Sequence, residues 1–219
     1  MEGYLIIGLG RFGKSIAKTL YNHNKTVLGL DIDEEIVQQV IDNEIISEAI
    51  VIDATNENEL KKIIDDDFDT AFVCIGDNIQ VSILVTLILK ELGVKTVICK
   101  AKTKMQGKVL EKIGASSVVY PEEAMGEKIA LNVLQSNITE YFKFSDKYGI
   151  FEFKAPKSFI GKNLMELDLR KKYGINIIVI KSENKEINFT PNPLTVIEEN
   201  DTLFAMAEQE KMSFLSNII

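Results

Sequence analysis

The sequence predicts an α/β fold: a doubly wound parallel sheet followed by a small α+β domain. Three observations carry that expectation. Short apolar runs alternate with segments of helical spacing from residue 4 to residue 120. A G-x-G-x-x-G stands between the first run and the first helix. From Tyr141 the pattern gives way to short strand-like runs with turn signals between them.

Tyr4-Leu5-Ile6-Ile7 is apolar without alternation, as for a strand buried on both faces. Gly8 to Gly13 follows, and Lys14 to Asn24 then places Ile16, Ala17, Leu20 and Tyr21 at helical spacing. Thr26 to Leu30 is a second strand, ending at Asp31. The alternation continues through helix 34–43, strand 49–52, helix 57–64, strand 70–75, helix 78–92, strand 95–99, helix 104–113 and strand 117–120. Pro121 breaks the last strand, and a helix over 122–137 leaves the sheet. Beyond it, Phe151-Glu152-Phe153, Ile175 to Ile180 and Thr202 to Met206 read as strands, with Pro156, Pro191 and Pro193 between them and one helix over 163–172. The polar segment Asn137 to Lys147 reads as a hinge. The expected domains are therefore 1–137, a Rossmann-like nucleotide-binding domain with a crossover helix, and 138–219, a small α+β domain.

Composition narrows the function. With 219 residues, 46% hydrophobic and 26% charged, the chain has the make-up of a folded globular protein. The longest near-apolar stretch, Ile83 to Leu89, is far short of a bilayer span, and Met1-Glu2-Gly3-Tyr4 is no secretory signal, so a cytoplasmic protein is expected. Net charge is −8; residues 1–137 hold 14 basic and 21 acidic groups and residues 138–219 hold 11 and 12, so neither part is a nucleic-acid binder by charge. Two cysteines, Cys74 and Cys99, are too few for a disulfide scaffold or a zinc site.

The glycine motif Gly8-Leu9-Gly10-Arg11-Phe12-Gly13 has the context of a dinucleotide or nucleotide site, because the second strand ends in an acid, Asp31, about 20 residues on. Gly8 permits the tight turn, Gly10 lets backbone approach phosphates, and Gly13 lets the helix pack on the sheet. Asp31 can accept from ribose hydroxyls. Arg11 either meets a third phosphate or is a solvated surface residue. Asp53-Ala54-Thr55 and Ile75-Gly76-Asp77-Asn78 close the third and fourth strands, where open α/β sheets bind ligands; an acid there can bond an adenine amine, or these residues simply cap helices. Lys100 either reaches phosphate or is solvated, and Glu122 either ligates a cation or favours a helix N-terminus. Helix 79–92 is apolar nearly all round, which predicts burial on two sides and an oligomer interface. No Ser/His/Asp or Cys/His set can be built around the single histidine, His23, which reads as a surface cap.

Gly8 to Ser15, Asp31-Ile32-Asp33, Asp53-Ala54-Thr55, Leu110 to Ala115, Tyr120-Pro121-Glu122 and Met125-Gly126 together resemble the RCK family of potassium-transport regulators, in the form of the cytosolic Ktr-type subunit. The resemblance covers almost the whole chain, as a TrkA-like N-terminal and a TrkA-like C-terminal domain. It implies a gating ring and no enzyme activity: dimers assembling into an octameric homo-oligomer beneath a membrane-embedded, potassium-translocating KtrB-like subunit, with no nucleic acid partner. It implies ATP or ADP at the Rossmann-like site, with Arg11 meeting the γ-phosphate from a neighbouring subunit, Asp31 holding the ribose, Asp53 and Ala54 beside the adenine, and Ile32 and Asp33 among the cofactor-binding residues. Glu122 would join a divalent cation or sodium site. In the C-terminal domain Arg170, Asn176 and Pro193 match a cyclic di-AMP site of relatives, with Leu164 and Met165 where isoleucines are usual. The rival expectations are an NAD(H)-dependent oxidoreductase, which needs a proton donor and a polar substrate domain that the small C-terminal part does not offer, and a free-standing NAD(H) or energy sensor, which Asp31 permits.

Overall fold

The computed structural model describes residues 3–64, 68–134, 138–145, 147–184 and 186–211. The chain divides into two compact units, Met1–Glu123 and Ala124–Ile219. Residue 137, where the sequence expectation divides the domains, lies outside the described residues.

In the first unit, the described residues place β1 (Gly3–Ile7), β2 (Thr26–Asp31), β3 (Glu48–Val51), β4 (Thr70–Val73), β5 (Thr96–Lys100) and β6 (Ser117–Val119) in one sheet, ordered β3-β2-β1-β4-β5-β6. Every neighbouring pair is parallel. The helices α1 (Arg11–Asn22), α2 (Glu34–Asp42), α3 (Glu57–Ile63), α4 (Ile79–Glu91) and α5 (Lys104–Ile113) alternate with the strands. This is the expected Rossmann-like architecture, and β1 shows why its sequence lacks alternation. Leu5 and Ile7 enter one core, with Leu60 of α3, Val85 and Leu89 of α4 and Leu110 of α5. Ile6 enters the opposite core, with Ala17 of α1 and Val37 and Val40 of α2. Successive side chains point to opposite faces, and both faces are covered.

Helix starts follow capping chemistry. Asp33, Asn56, Asn78 and Thr103 each accept a backbone N–H at the first turn of α2, α3, α4 and α5. A sixth helix, α6 (Pro121–Leu134), follows β6; residues 135–137 of the expected helix lie outside the described residues. In α4, Ser82, Val85, Thr86, Ile88 and Leu89 are buried against the sheet, while Ile79, Leu84 and Leu87 are exposed on the single chain.

In the second unit, β7 (Ile138–Lys143), β8 (Tyr148–Lys154), β9 (Asn176–Lys181), β10 (Ile187–Asn188) and β11 (Thr202–Glu208) form an antiparallel sheet ordered β10-β9-β11-β8-β7. Phe151, Phe153, Leu169, Ile175, Leu203 and Ala205 make its core. Two expectations are corrected here. The segment read as a hinge is in large part the edge strand β7; Asn137 and residue 146 lie outside the described residues. Tyr141 stacks on Phe151 with ring centroids 5.2 Å apart, and that packing makes the polar segment a strand. The helix read over 163–172 is two short helices, α7 (Leu164–Leu167) and α8 (Leu169–Tyr173). Asp168 separates them in the left-handed region, φ 47° and ψ 39°, one of the few conformations there that an aspartate tolerates.

Candidate functional site

The strand order reverses at β1, between β2 and β4, so a crevice opens beyond the carboxyl ends of β1 and β4. A cavity of about 420 Å³ occupies it. Its lining includes Gly8 and Gly10, Asp31, Ile32 and Ile36, Asp53, Ala54 and Thr55, and Ile75, Gly76, Asp77 and Asn78, with Cys74 and Val81. Four separate strand ends thus converge on one space of small-ligand size.

The glycine turn is built by contacts that differ at each glycine. Gly8 has φ +94°, the left-handed region that favours glycine. A Cβ on Gly13 would overlap the Gly8 carbonyl oxygen, so α1 can lie against the turn only with glycine there. A Cβ on Gly10 would meet nothing within 4 Å; the space beside it is open to a ligand. Asp31 ties this turn to β2: its Oδ2 accepts from the Leu9 N–H at 2.6 Å and its Oδ1 from the Asp33 N–H at 3.0 Å. Sequence reasoning gave Asp31 a ligand role; its structural role needs a partner 22 residues away. Helix α1 starts at Gly10 with no side-chain cap and no acid in its first turn. By contrast α2 and α3 have side-chain caps and acids there. The free N–H groups of α1 therefore stand beside the cavity with their dipole unneutralised, the condition for binding an anion.

The remaining expected residues separate by position. Leu9 is fully buried in the core beneath the turn. Asp33 caps α2, accepting from the N–H groups of Glu35 and Ile36. Asp53 does not cap α3; Asn56 does. The Thr55 hydroxyl, at 2.7 Å, and then its N–H hold the Asp53 carboxyl below its usual range. Asn78 caps α4, accepting from Val81 N–H at 3.1 Å. Arg11 is the exposed first residue of α1. Phe12 meets Lys100, whose Nζ lies 5.8 Å from its ring centroid. Burial pushes the Cys74 thiol up to about 12, so it faces the cavity as an uncharged group. Ile36, Val81 and Cys74 were missed in the sequence; the signal for the first two was their place one turn inside α2 and α4.

Lys100 and Glu122 pair with each other, and Glu122 also takes the helix N-terminal position of its second reading. Lys100 Nζ donates to Glu122 Oε1 at 2.6 Å, and this bond holds the Glu122 carboxyl below its usual range. Glu122 lies in the first turn of α6 and is already paired with a cation, the ammonium, so it does not fit a metal ion as it stands. Among the described residues no group of three or more His, Cys, Asp or Glu is placed to hold one.

The second unit has its own cavity, about 380 Å³, and it gathers Leu164, Met165, Arg170, Asn176 and Pro193, all five residues expected there, with Asp168, Ile177, Pro191 and Asn192. Met165 N–H donates to the Pro193 carbonyl, which holds the proline loop against α7.

Comparison with known proteins agrees with this two-part geometry. The model of the TrkA-N domain matches residues 4–121 and that of the TrkA-C domain residues 149–219. Ktr system potassium uptake protein C of Bacillus subtilis is 42% identical over 210 residues, covering 96% of this chain and 94% of that protein. Ktr system potassium uptake protein A of the same organism is 39% identical over 214 residues, covering 98% and 95%. Among solved structures, the GsuK channel bound to NAD aligns with a TM-score of 0.67 at 17% identity, over 98% of this chain and 38% of that one.

Proposed function

The chain belongs to the RCK family as a Ktr-type subunit with TrkA-N and TrkA-C domains, and from that premise we propose that it is the nucleotide-binding regulatory subunit of a potassium uptake system, not an enzyme. One observation carries the nucleotide reading: the uncapped N-terminus of α1 opens on a cavity whose other walls are Asp31, the Asp53–Thr55 turn and Gly76. A diphosphate or triphosphate would take the N–H groups of that first turn, with the open space at Gly10 for its oxygens. Asp31 keeps lone pairs beyond its two N–H bonds to accept from ribose hydroxyls. Ala54, Ile32 and Val81 would border the base. ATP and ADP are the proposed ligands, because Arg11 adds a charge at the same helix start where a third phosphate, on this chain or a neighbour, would need one.

The rest of the proposal follows the family. Exposed Ile79, Leu84 and Leu87 on α4, and Met125 and Ile129 on α6, would be covered by further copies of the chain, in dimers that assemble into an octameric ring. No helix among the described residues is long and apolar enough to cross a membrane, and the proposed place is the inner membrane face, through a potassium-translocating partner. A divalent cation or sodium would reach Glu122 only after Lys100 releases it. In the C-terminal cavity, cyclic di-AMP would be held by two copies of Arg170 and Asn176 about a two-fold axis, matching its own symmetry. The proposed functional division is 1–137 and 138–219.

The test is calorimetric titration of the purified full chain with ADP, ATP and NADH, with light scattering before and after. Micromolar binding of ADP and ATP, with different changes in assembly, is expected. Binding of NADH alone would transfer the site to an NAD(H) sensor, and no binding of any of the three would refute the nucleotide reading.

A further inference from the structure

Lys100 lies against Gly76, one of the residues that line the cavity. A Cβ built on Gly76 would touch the Lys100 Cε at 3.3 Å and its Nζ at 3.4 Å, so the lysine stem runs over the backbone of a cavity-lining residue. Its Nζ is also 5.8 Å from the ring of Phe12, in the first turn of α1. The ammonium therefore stands between the end of β4 and the helix start that would hold phosphate. Its surroundings are unequal: the Lys100 side chain is 12% exposed and that of Glu122 is 63% exposed. A largely desolvated ammonium needs an anion, and Glu122 supplies one from the wet side.

We propose that the Lys100–Glu122 ion pair is a latch that competes with ligand phosphate: phosphate draws Lys100 off Glu122 and removes one of the two ion pairs, the other being Lys104–Glu123, that hold the first turn of α6. The proposal rests on the nucleotide reading and names the regulation of that site. A phosphate carrying more charge than a carboxylate is the stronger partner for a buried ammonium. The bond it displaces has one exposed end, so Glu122 regains its hydration while phosphate takes its place on the ammonium. The neighbouring lysines are held elsewhere, Lys102 by Asp77 and Lys104 by Glu123, both pairs well exposed. Of the three, Lys100 is the one that is nearly buried and lies on a residue lining the cavity. Glu122 is the second residue of α6, and the second unit begins two residues on, at Ala124 within the same helix, so the event at the phosphate changes a restraint at the point where the chain passes from one unit to the other.

The test is a double-mutant cycle on ADP affinity, by calorimetry on the full chain in metal-free buffer with EDTA, so that no cation acts at Glu122. Glu122→Gln removes the competitor and should tighten ADP about two- to fivefold. Lys100→Gln should weaken it about tenfold. In the Lys100→Gln background, Glu122→Gln should change the affinity hardly at all. Amide exchange in the first two turns of α6 should rise when ADP binds the natural chain, and should already be raised in Lys100→Gln without ligand. If Glu122→Gln weakens binding or leaves it unchanged, the latch is wrong. Equal tightening in both backgrounds also overturns it, because plain repulsion between carboxylate and phosphate would then be the cause. A natural chain that binds no ADP takes the nucleotide reading down with it, whereas ADP binding without these effects removes the latch alone.

Discussion

Gly13 and Gly10 belong to one motif, yet the same change to alanine should damage different things. At Gly13 the new methyl would overlap the Gly8 carbonyl oxygen, a backbone atom of a turn that Asp31 holds in place. The turn and the start of α1 must move apart. Overpacking of this kind costs about 3 kcal/mol, at the upper end of its range because no flexible side chain can yield. The better helix propensity of alanine returns about 1 kcal/mol. The net loss is about 2 kcal/mol, which for a domain of this size lowers Tm by roughly 6–10 °C. At Gly10 the methyl meets nothing within 4 Å, and φ is −66°. The stiffer unfolded chain favours alanine by about 0.4–1 kcal/mol and the poorer helix cap disfavours it by a similar amount, so Tm should stay within about 2 °C. The methyl does, however, enter the open space proposed for ligand phosphate. Thermal denaturation with and without ADP reads both effects. Gly13→Ala should lower Tm in the absence of ligand. Gly10→Ala should keep its Tm and lose most of the ligand-induced rise. A Gly13→Ala protein as stable as the natural one, or a Gly10→Ala protein that ADP still stabilises fully, would refute the division of roles.

Five further outcomes are expected. Arg11→Ala should weaken the response to ATP and spare ADP in calorimetry; equal loss for both would assign Arg11 to the shared phosphates or the fold. Lysine at Leu84 and Leu87, which are 42% and 40% exposed on the single chain, should leave the fold intact by circular dichroism and shift the oligomer to dimers in light scattering; an unchanged assembly removes α4 from the interface. With its thiol raised to about 12 by burial, Cys74 should react with iodoacetamide at pH 8 about a thousandfold more slowly than a free cysteine, by mass spectrometry on the native protein. Because the native state favours the protonated thiol, its contribution to stability is complete below about pH 8.5 and is lost as pH rises through 12; stability rising across that window would contradict the burial. Arg170→Ala should abolish cyclic di-AMP binding by the full chain while ADP binding survives, and retained affinity would move the ligand away from the cavity at Pro193.

The sequence by itself determined the parallel sheet, the glycine turn and the acid at the end of β2, because each is written in neighbouring residues: apolar runs, turn glycines, and a strand that stops at Asp31. It also determined which five residues of the C-terminal domain share a cavity, through their resemblance to a family motif, though spacing alone would not have joined Leu164 to Pro193. Tertiary structure decided the rest, where the partners are far apart in the chain. Tyr141 became part of a strand because Phe151 lies opposite it across a hairpin, and no local periodicity announces that pairing. Asp168 split a helix that its neighbours favour, by taking a left-handed conformation that residue type permits and only the surrounding packing selects. Asp31 turned out to fasten the glycine turn through the Leu9 N–H. Lys100 and Glu122, each with two readings in the sequence, settled on one another across 22 residues. Short-range order follows from propensity and burial pattern; the pairing of charges depends on which strand ends the sheet brings together, and that is a property of the whole fold.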